Sequence, residues 1–183
     1  RQNINDIKAQ IAANNKGIAA LQGLLRKYGQ QTVSNYMEHV RANAAIEIRR
    51  LLSELESGQA SSTMDDGSKI VVSIRIDKEK RSAVIDFSGT SGQTKNNLNS
   101  PLAVTRAAVL YVFRTLTKAN IPLNDGCMEP LELIIPKGSL LNPREPAAVV
   151  AGNVETSQVI VDTLYRALNI MAASQGSMNN FTF

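Results

Sequence analysis

Apolar side chains at alternating spacings of three and four run through the first sixty residues, and few folds accommodate such a pattern. Ile4, Ile7, Ile11, Ile18, Leu21, Leu25 and Tyr28 follow it, with Asn14 in the one polar seam position. Gly29 interrupts the run as a C-terminal cap would. Thr32 is placed to cap a second helix whose apolar face is Val33, Met37, Val40, Ala44, Ile48, Leu51 and Leu55. Two amphipathic helices joined by a short turn predict an antiparallel hairpin over residues 1–58. At ~1.5 Å per residue each arm would run about 35 Å, long beside the ~16 Å radius of gyration of a globule of this size. The hairpin is therefore expected to project, or to pack on further protein.

The pattern changes after that. Residues 59–69 are rich in Gly, Ser and Asp and read as a linker. The β-branched run Ile70, Val71, Val72, Ile74, Ile76 and the run Val84, Ile85, Phe87 flank a charged turn, which predicts a β-hairpin. Ser100-Pro101 marks a helix start reaching about Lys118, and Leu131–Ile135 is a strand candidate. Asn153 is placed to cap a last helix ending near Met171. Residues 70–183 thus form an α+β part with antiparallel hairpin strands and two further helices. No regular βαβ alternation is visible.

One Cys and one His exclude an intramolecular disulfide, multi-thiolate sites and His-rich zinc sites. Cys127 has no His or basic neighbour to activate it and reads as a buried inert thiol, and His39 as structural. The basic excess lies early: residues 1–60 carry 8 basic and 5 acidic groups, 61–100 carry 6 and 5, and 101–183 carry 6 and 6. Aromatics at 4% do not supply the stacking platforms of a nucleic-acid binder, so no nucleic-acid partner is expected. No apolar run approaches the ~20 residues of a membrane span, so no membrane partner is expected and the default location is cytoplasmic. The phosphate-binding Gly-rich loop with Lys and Ser/Thr is absent.

The chemically interesting residues lie in polar loops. Sixteen Asn occur in the chain, and Asn96, Asn97, Asn99, Asn153, Asn179 and Asn180 lie next to expected helix ends. Each can be a cap or turn former, or can meet an anionic ligand there. Gly152-Asn153-Val154-Glu155-Thr156-Ser157 places a carboxylate and two hydroxyls at a helix start. A dipole-complementing cap and a ligand-facing turn, which Gly152 would let a backbone approach, both fit that pattern. Asp86, at the end of an apolar strand before Ser88-Gly89-Thr90, fits an Asx turn or a carboxylate that holds a metal or nucleophile.

Several blocks resemble the hydantoinase B/oxoprolinase family: DFSGT (86–90), NNLNSPLAVTRAAV (96–109), IPLNDGC (121–127), GSLLNPREPAAVVAGNVETSQ (138–158) and the tail ASQGSMNNFTF (173–183). The opening DIKAQIAANNKG is also similar to the segment before the family's long helix. The resemblance implies the central piece of the B component of an ATP-dependent cyclic-amide hydrolase, of 5-oxoprolinase or N-methylhydantoinase type. ATP and Mg are then expected on a partner A subunit or domain. A metal ion, if the family's His and Asp site is kept, is expected N-terminal to this chain and not within it. Glu155, Thr156, Ser157 and Asp86 are the catalytic candidates. Asn97, Asn99, Gly152, Asn153, Gln175, Asn179 and Asn180 are the substrate-binding candidates. Two alternatives stay open: a B-type subunit of an acetone or acetophenone carboxylase, and a non-catalytic assembly module. The helical hairpin is expected to carry homo-oligomerisation, and the isolated piece to be inactive.

Overall fold

The structure, a computed structural model, describes residues 2–174. The chain divides into two compact units, one up to Ala42 and one from Asn43 onward. In the first unit α1 spans Gln2–Tyr28, and α2, Gln30–Glu54, begins. Gly29 both ends one helix and starts the next: its N–H donates to the Leu25 carbonyl at 2.9 Å, and its carbonyl accepts from Val33 at 3.2 Å. Its φ of +80° is the left-handed conformation that favours glycine. Because the Gly29 carbonyl takes the first bond of α2, that helix starts at Gln30, and Thr32 lies inside it rather than capping it.

Two long helices are present as expected, but among the described residues α1 and α2 do not pack on one another as the antiparallel hairpin expected over 1–58, and their apolar seam is uncovered. Ile4, Ile7, Ile11, Ile18, Leu21 and Tyr28 are 42–59% exposed, and α1 buries no residue. On α2 the first unit's Met37 and Val40 are exposed as well.

The second unit takes its core from the end of α2, a four-stranded sheet and two more helices. Ala44, Ile48 and Leu52 of α2 are fully buried. The sheet order is β1-β2-β3-β4, with β1 Gly58–Thr63, β2 Lys69–Asp77, β3 Ser82–Asp86 and β4 Leu131–Ile134. β1, β2 and β3 pair antiparallel, and β4 runs parallel to β3. Alternation gives the sheet two faces. Ile70, Val72, Ile74, Ala83 and Ile85 point into the core, while Arg75 and Asp86 lie on the opposite face. α3, Leu102–Leu116, packs on α4, Thr156–Leu168, which lies across β1 and β2. Cys127 is buried in this core.

The stretch 59–69 is not a linker: it holds most of β1 and the turn into β2. Its small residues are what α4 requires above them. A β-carbon on Gly58 would lie 2.0 Å from the Ala167 carbonyl oxygen. The Ser62 hydroxyl accepts from Thr163 at 2.8 Å, and Arg166 donates to the Ser61 carbonyl at 3.1 Å. Side-chain bulk, the usual strand signal, is excluded here by the helix. The helix ends differ by a few residues from those expected: Pro101 stands at the cap of α3, and α4 stops at Leu168 with Asn169 left-handed.

Candidate functional site

Two loops, 93–100 and 147–157, are locked together by one buried amide. Asn99 is fully buried, and its side-chain oxygen accepts the Thr94 N–H at 2.8 Å. Its Nδ2 lies 3.1 Å from the Thr94 carbonyl oxygen, 3.1 Å from that of Asn96 and 2.9 Å from that of Ala148. Further bonds run between the same loops. Ala151 N–H donates to the Asn97 carbonyl at 3.0 Å, and the Thr156 hydroxyl donates to the Leu98 carbonyl at 2.5 Å. Gly152 permits the approach, since a β-carbon there would lie 2.1 Å from the Asn99 carbonyl oxygen. Beneath them, Ser100 N–H donates to the Leu140 carbonyl at 2.7 Å, and the Thr105 hydroxyl donates to the Leu141 carbonyl at 2.9 Å.

This arrangement separates the residues that hold the loops from those that face outward. Asn99 and Thr156 are fully buried with their polar atoms engaged, and they hold the two loops together. The Ser157 hydroxyl donates to the Asn153 carbonyl at 2.7 Å, and Gln158 Nε2 donates to the Val154 carbonyl at 2.9 Å. No base is hydrogen-bonded to either hydroxyl among the described residues, and a nucleophilic hydroxyl needs one. Asn97, Asn153 and Glu155 are the exposed members. Their side chains make no hydrogen bond or ion pair among the described residues.

Asn153 is not the cap of the last helix. A short 3₁₀ turn, Val150–Gly152, precedes it, and Glu155 occupies the cap position without a side-chain cap bond. Ala151 explains this, because its carbonyl accepts from Glu155 N–H at 2.8 Å and turns the chain before α4 begins. Among the described residues the Glu155 carboxylate has no hydrogen-bond or ion-pair partner, at the positive end of a helix dipole.

Asp86 is not joined to this cluster by any hydrogen bond or ion pair among the described residues. Its Oδ1 accepts the Ser88 N–H at 2.8 Å, the Asx turn, and its Oδ2 lies 3.7 Å from Arg75. Hydrogen bonding from the Ser88 side chain and backbone, and then the Arg75 charge, hold its carboxyl below the ordinary range. Gln175, Asn179 and Asn180 lie outside the described residues.

The partner of Asn96 has no signature in the sequence. Asn96 Nδ2 donates to Asp66 Oδ2 at 2.6 Å, tying the β1–β2 turn to the 93–100 loop. Hydrogen bonds from the Ser68 side chain, the Ser68 backbone and Asn96 lower the Asp66 pKa. The signal for that turn was Asp66-Gly67, a hairpin dipeptide between two strands, with Gly67 at φ +84°. Among the described residues no three His, Cys, Asp or Glu side chains cluster as metal ligands. No described helix is long and apolar enough to cross a membrane.

Comparison with known proteins places these features in a family. The model of the hydantoinase B/oxoprolinase family matches residues 1–183. The chain is 44% identical to a 5-oxoprolinase of Dictyostelium discoideum over 190 residues, covering 99% of this chain and 15% of that protein. It is 44% identical to a 5-oxoprolinase of Saccharomyces cerevisiae over 187 residues, 99% of this chain and 14% of that one. The chain therefore spans about a seventh of the length of these relatives. An ATP-dependent caprolactamase from Pseudomonas jessenii has the same fold, with a TM-score of 0.67 at 24% identity over 94% of this chain and 30% of that chain. The chain belongs to the hydantoinase B/oxoprolinase family.

Proposed function

We propose that this chain is a central section of the B component of an ATP-dependent cyclic-amide hydrolase that opens a lactam or hydantoin ring. The observation that carries the proposal is the family match over the whole chain, together with 44% identity to two 5-oxoprolinases. The caprolactamase likeness supports the fold, and its substrate is also a lactam by name. ATP and Mg do not fit this chain, which lacks a Gly-rich phosphate loop with Lys and Ser/Thr. We assign them to a partner A subunit or domain, and no step here runs through them. A cytoplasmic location goes with this reading.

The chain's own contribution would be at the two locked loops. Opening an amide ring needs an acceptor for the proton of the attacking water, and donors or acceptors that orient the ring. We assign the first role to the Glu155 carboxylate and the second to the Asn97 and Asn153 amides, because these exposed side chains make no hydrogen bond among the described residues. Asn99, Gly152 and Thr156 would hold them in position. Thr156 and Ser157, the other catalytic candidates of that turn, already donate to the Leu98 and Asn153 carbonyls, which supports Glu155 ahead of them.

The test is an assay of the full-length protein with its A component, ATP and a panel of 5-oxoproline, hydantoins, caprolactam and ketones. ADP accumulating together with a ring-opened acid supports the proposal. ADP release driven only by acetone or acetophenone would instead indicate the carboxylase alternative, and no turnover with any of them would leave an assembly role. The isolated 183-residue chain is expected to turn over none of them.

A further inference from the structure

We propose that a cleft between Lys137 and Arg144 binds a small molecule through a carboxylate. The proposal is independent of the cyclic-amide reading and of the part Glu155 takes in it. The cleft has a volume of about 510 Å³ and is lined by Lys137, Pro143, Arg144 and Glu145. That volume falls in the ~300–1,000 Å³ range of small-molecule sites. Two cations share the cleft with one carboxylate, so it keeps one positive charge in excess. Among the described residues none of the three charged side chains makes a hydrogen bond or an ion pair. Other surface cations of this unit do find acids: Arg75 meets Asp86, Lys78 meets Glu56 and Lys118 meets Glu54.

The walls of the cleft are held from within. After β4 the chain turns back on itself, with Gly138 N–H donating to the Asn142 carbonyl at 2.7 Å and Asn142 Nδ2 to the Ile135 carbonyl at 3.2 Å. Gln93 then clamps both arms of that turn. Its N–H donates to the Gly138 carbonyl at 2.9 Å, and its Oε1 accepts the Arg144 N–H at 2.7 Å. Gly138 has a φ of +84°, and a β-carbon on it would lie 3.4 Å from Arg144 Nε. The Arg144 side chain therefore runs along bare main chain. A guanidinium steadied in this way loses less freedom when it binds.

The charges select the ligand. Arg144 offers parallel N–H donors that match the two oxygens of a carboxylate, and Lys137 adds a point charge on a flexible stem. A phosphate could use the same two groups, but as a dianion it exceeds the single excess charge of the cleft. Glu145 repels the second negative charge. A carboxylate leaves the cleft neutral, and Pro143 supplies an apolar wall for the body of the molecule.

The experiment labels the arginines of the full-length protein with phenylglyoxal and reads each site by peptide mass spectrometry. The probe is benzoate, and benzamide, of the same shape but uncharged, is its control. Benzoate at ~10 mM is expected to slow labelling of Arg144 at least ~3-fold, as a millimolar dissociation constant requires. Benzamide should leave Arg144 unprotected, and neither should change the labelling of Arg106, an exposed residue on α3. Lys137→Gln should raise the benzoate concentration for half-protection at least ~10-fold. Glu145→Gln should let inorganic phosphate, ineffective on the parent, protect Arg144. Lys137 and Glu145 are exposed, so the core is untouched, and circular dichroism serves as the check. Labelling of Arg144 indifferent to benzoate, equal protection by benzamide, or protection that survives Lys137→Gln unchanged would each overturn the proposal. So would stronger protection of the parent by phosphate than by benzoate, or an Arg144 that the rest of the full-length protein shields from the reagent altogether.

Discussion

The carbonyl oxygen of Asn99 lies where a side chain on Gly152 would have to begin, 2.1 Å from the ideal β-carbon. The Ser100 Cα is 2.8 Å from the same point, so the obstruction is main chain and has no flexible end to move aside. The helix start at 150–157 and the loop at 96–100 can meet only because position 152 has no side chain.

Gly152→Ala should therefore cost about 3 kcal/mol, at or above the upper end of ordinary overpacking. Urea unfolding of the variant checks this. An unfolding midpoint close to that of the parent would mean that the two loops do not approach this closely.

Asn99 and Asn97 are two residues apart and predict opposite outcomes. Asn99→Ala leaves the Thr94 N–H and three carbonyls without their buried partner, and should cost about 3 kcal/mol or more. Asn97→Ala removes an exposed side chain with no hydrogen bond among the described residues, and its effect on stability should stay within about 0.5 kcal/mol. In the full-length enzyme the order reverses in KM, where Asn97→Ala should raise it if that amide orients the ring. Paired melting and steady-state measurements on the two variants separate holding from binding.

Much of the second unit was legible from local pattern. β2 and β3 follow from their β-branched alternation, and α3 and α4 from their apolar periodicity. β1 was not, because Gly58, Ala60 and Ser62 are kept small by a helix about a hundred residues later in the chain. The site divides in the same way. That 93–100 and 147–157 are special loops could be read from their Asn and Gly content. Which Asn is buried could not, since the partners of Asn99 include the Ala148 carbonyl, 49 residues away. Asn153 looked like a cap because Asn usually caps, and the Ala151 carbonyl moved the helix start past it. The Asp66–Asn96 bond spans 30 residues and has no local signature beyond its turn.

The acid side of the stability profile should report Asp66 and Asp86. Both have folded-state values below the ordinary 3.8, through Ser68 and Asn96 in one case and through Ser88 and Arg75 in the other. A depressed folded value contributes stability that is present above the unfolded value and is lost as pH falls through the folded one. The urea midpoint should thus hold near pH 5 and fall from about pH 4 downward. Asp66→Asn should make that fall shallower. A midpoint that rises on acidification would reverse the assigned sign.

Glu155→Gln in the full-length protein, assayed with the proposed ATP-binding component, decides whether the locked loops present a working carboxylate. The change keeps the shape and removes the charge at an exposed position. If Glu155 only complements the helix dipole, the cost is about 1 kcal/mol of stability or less, with turnover nearly intact. If it accepts the proton of the attacking water, turnover should fall ~10²–10⁴-fold while the melting temperature hardly moves. The second result is expected. A slightly destabilised variant with normal turnover would contradict it and leave Glu155 as a helix-end charge.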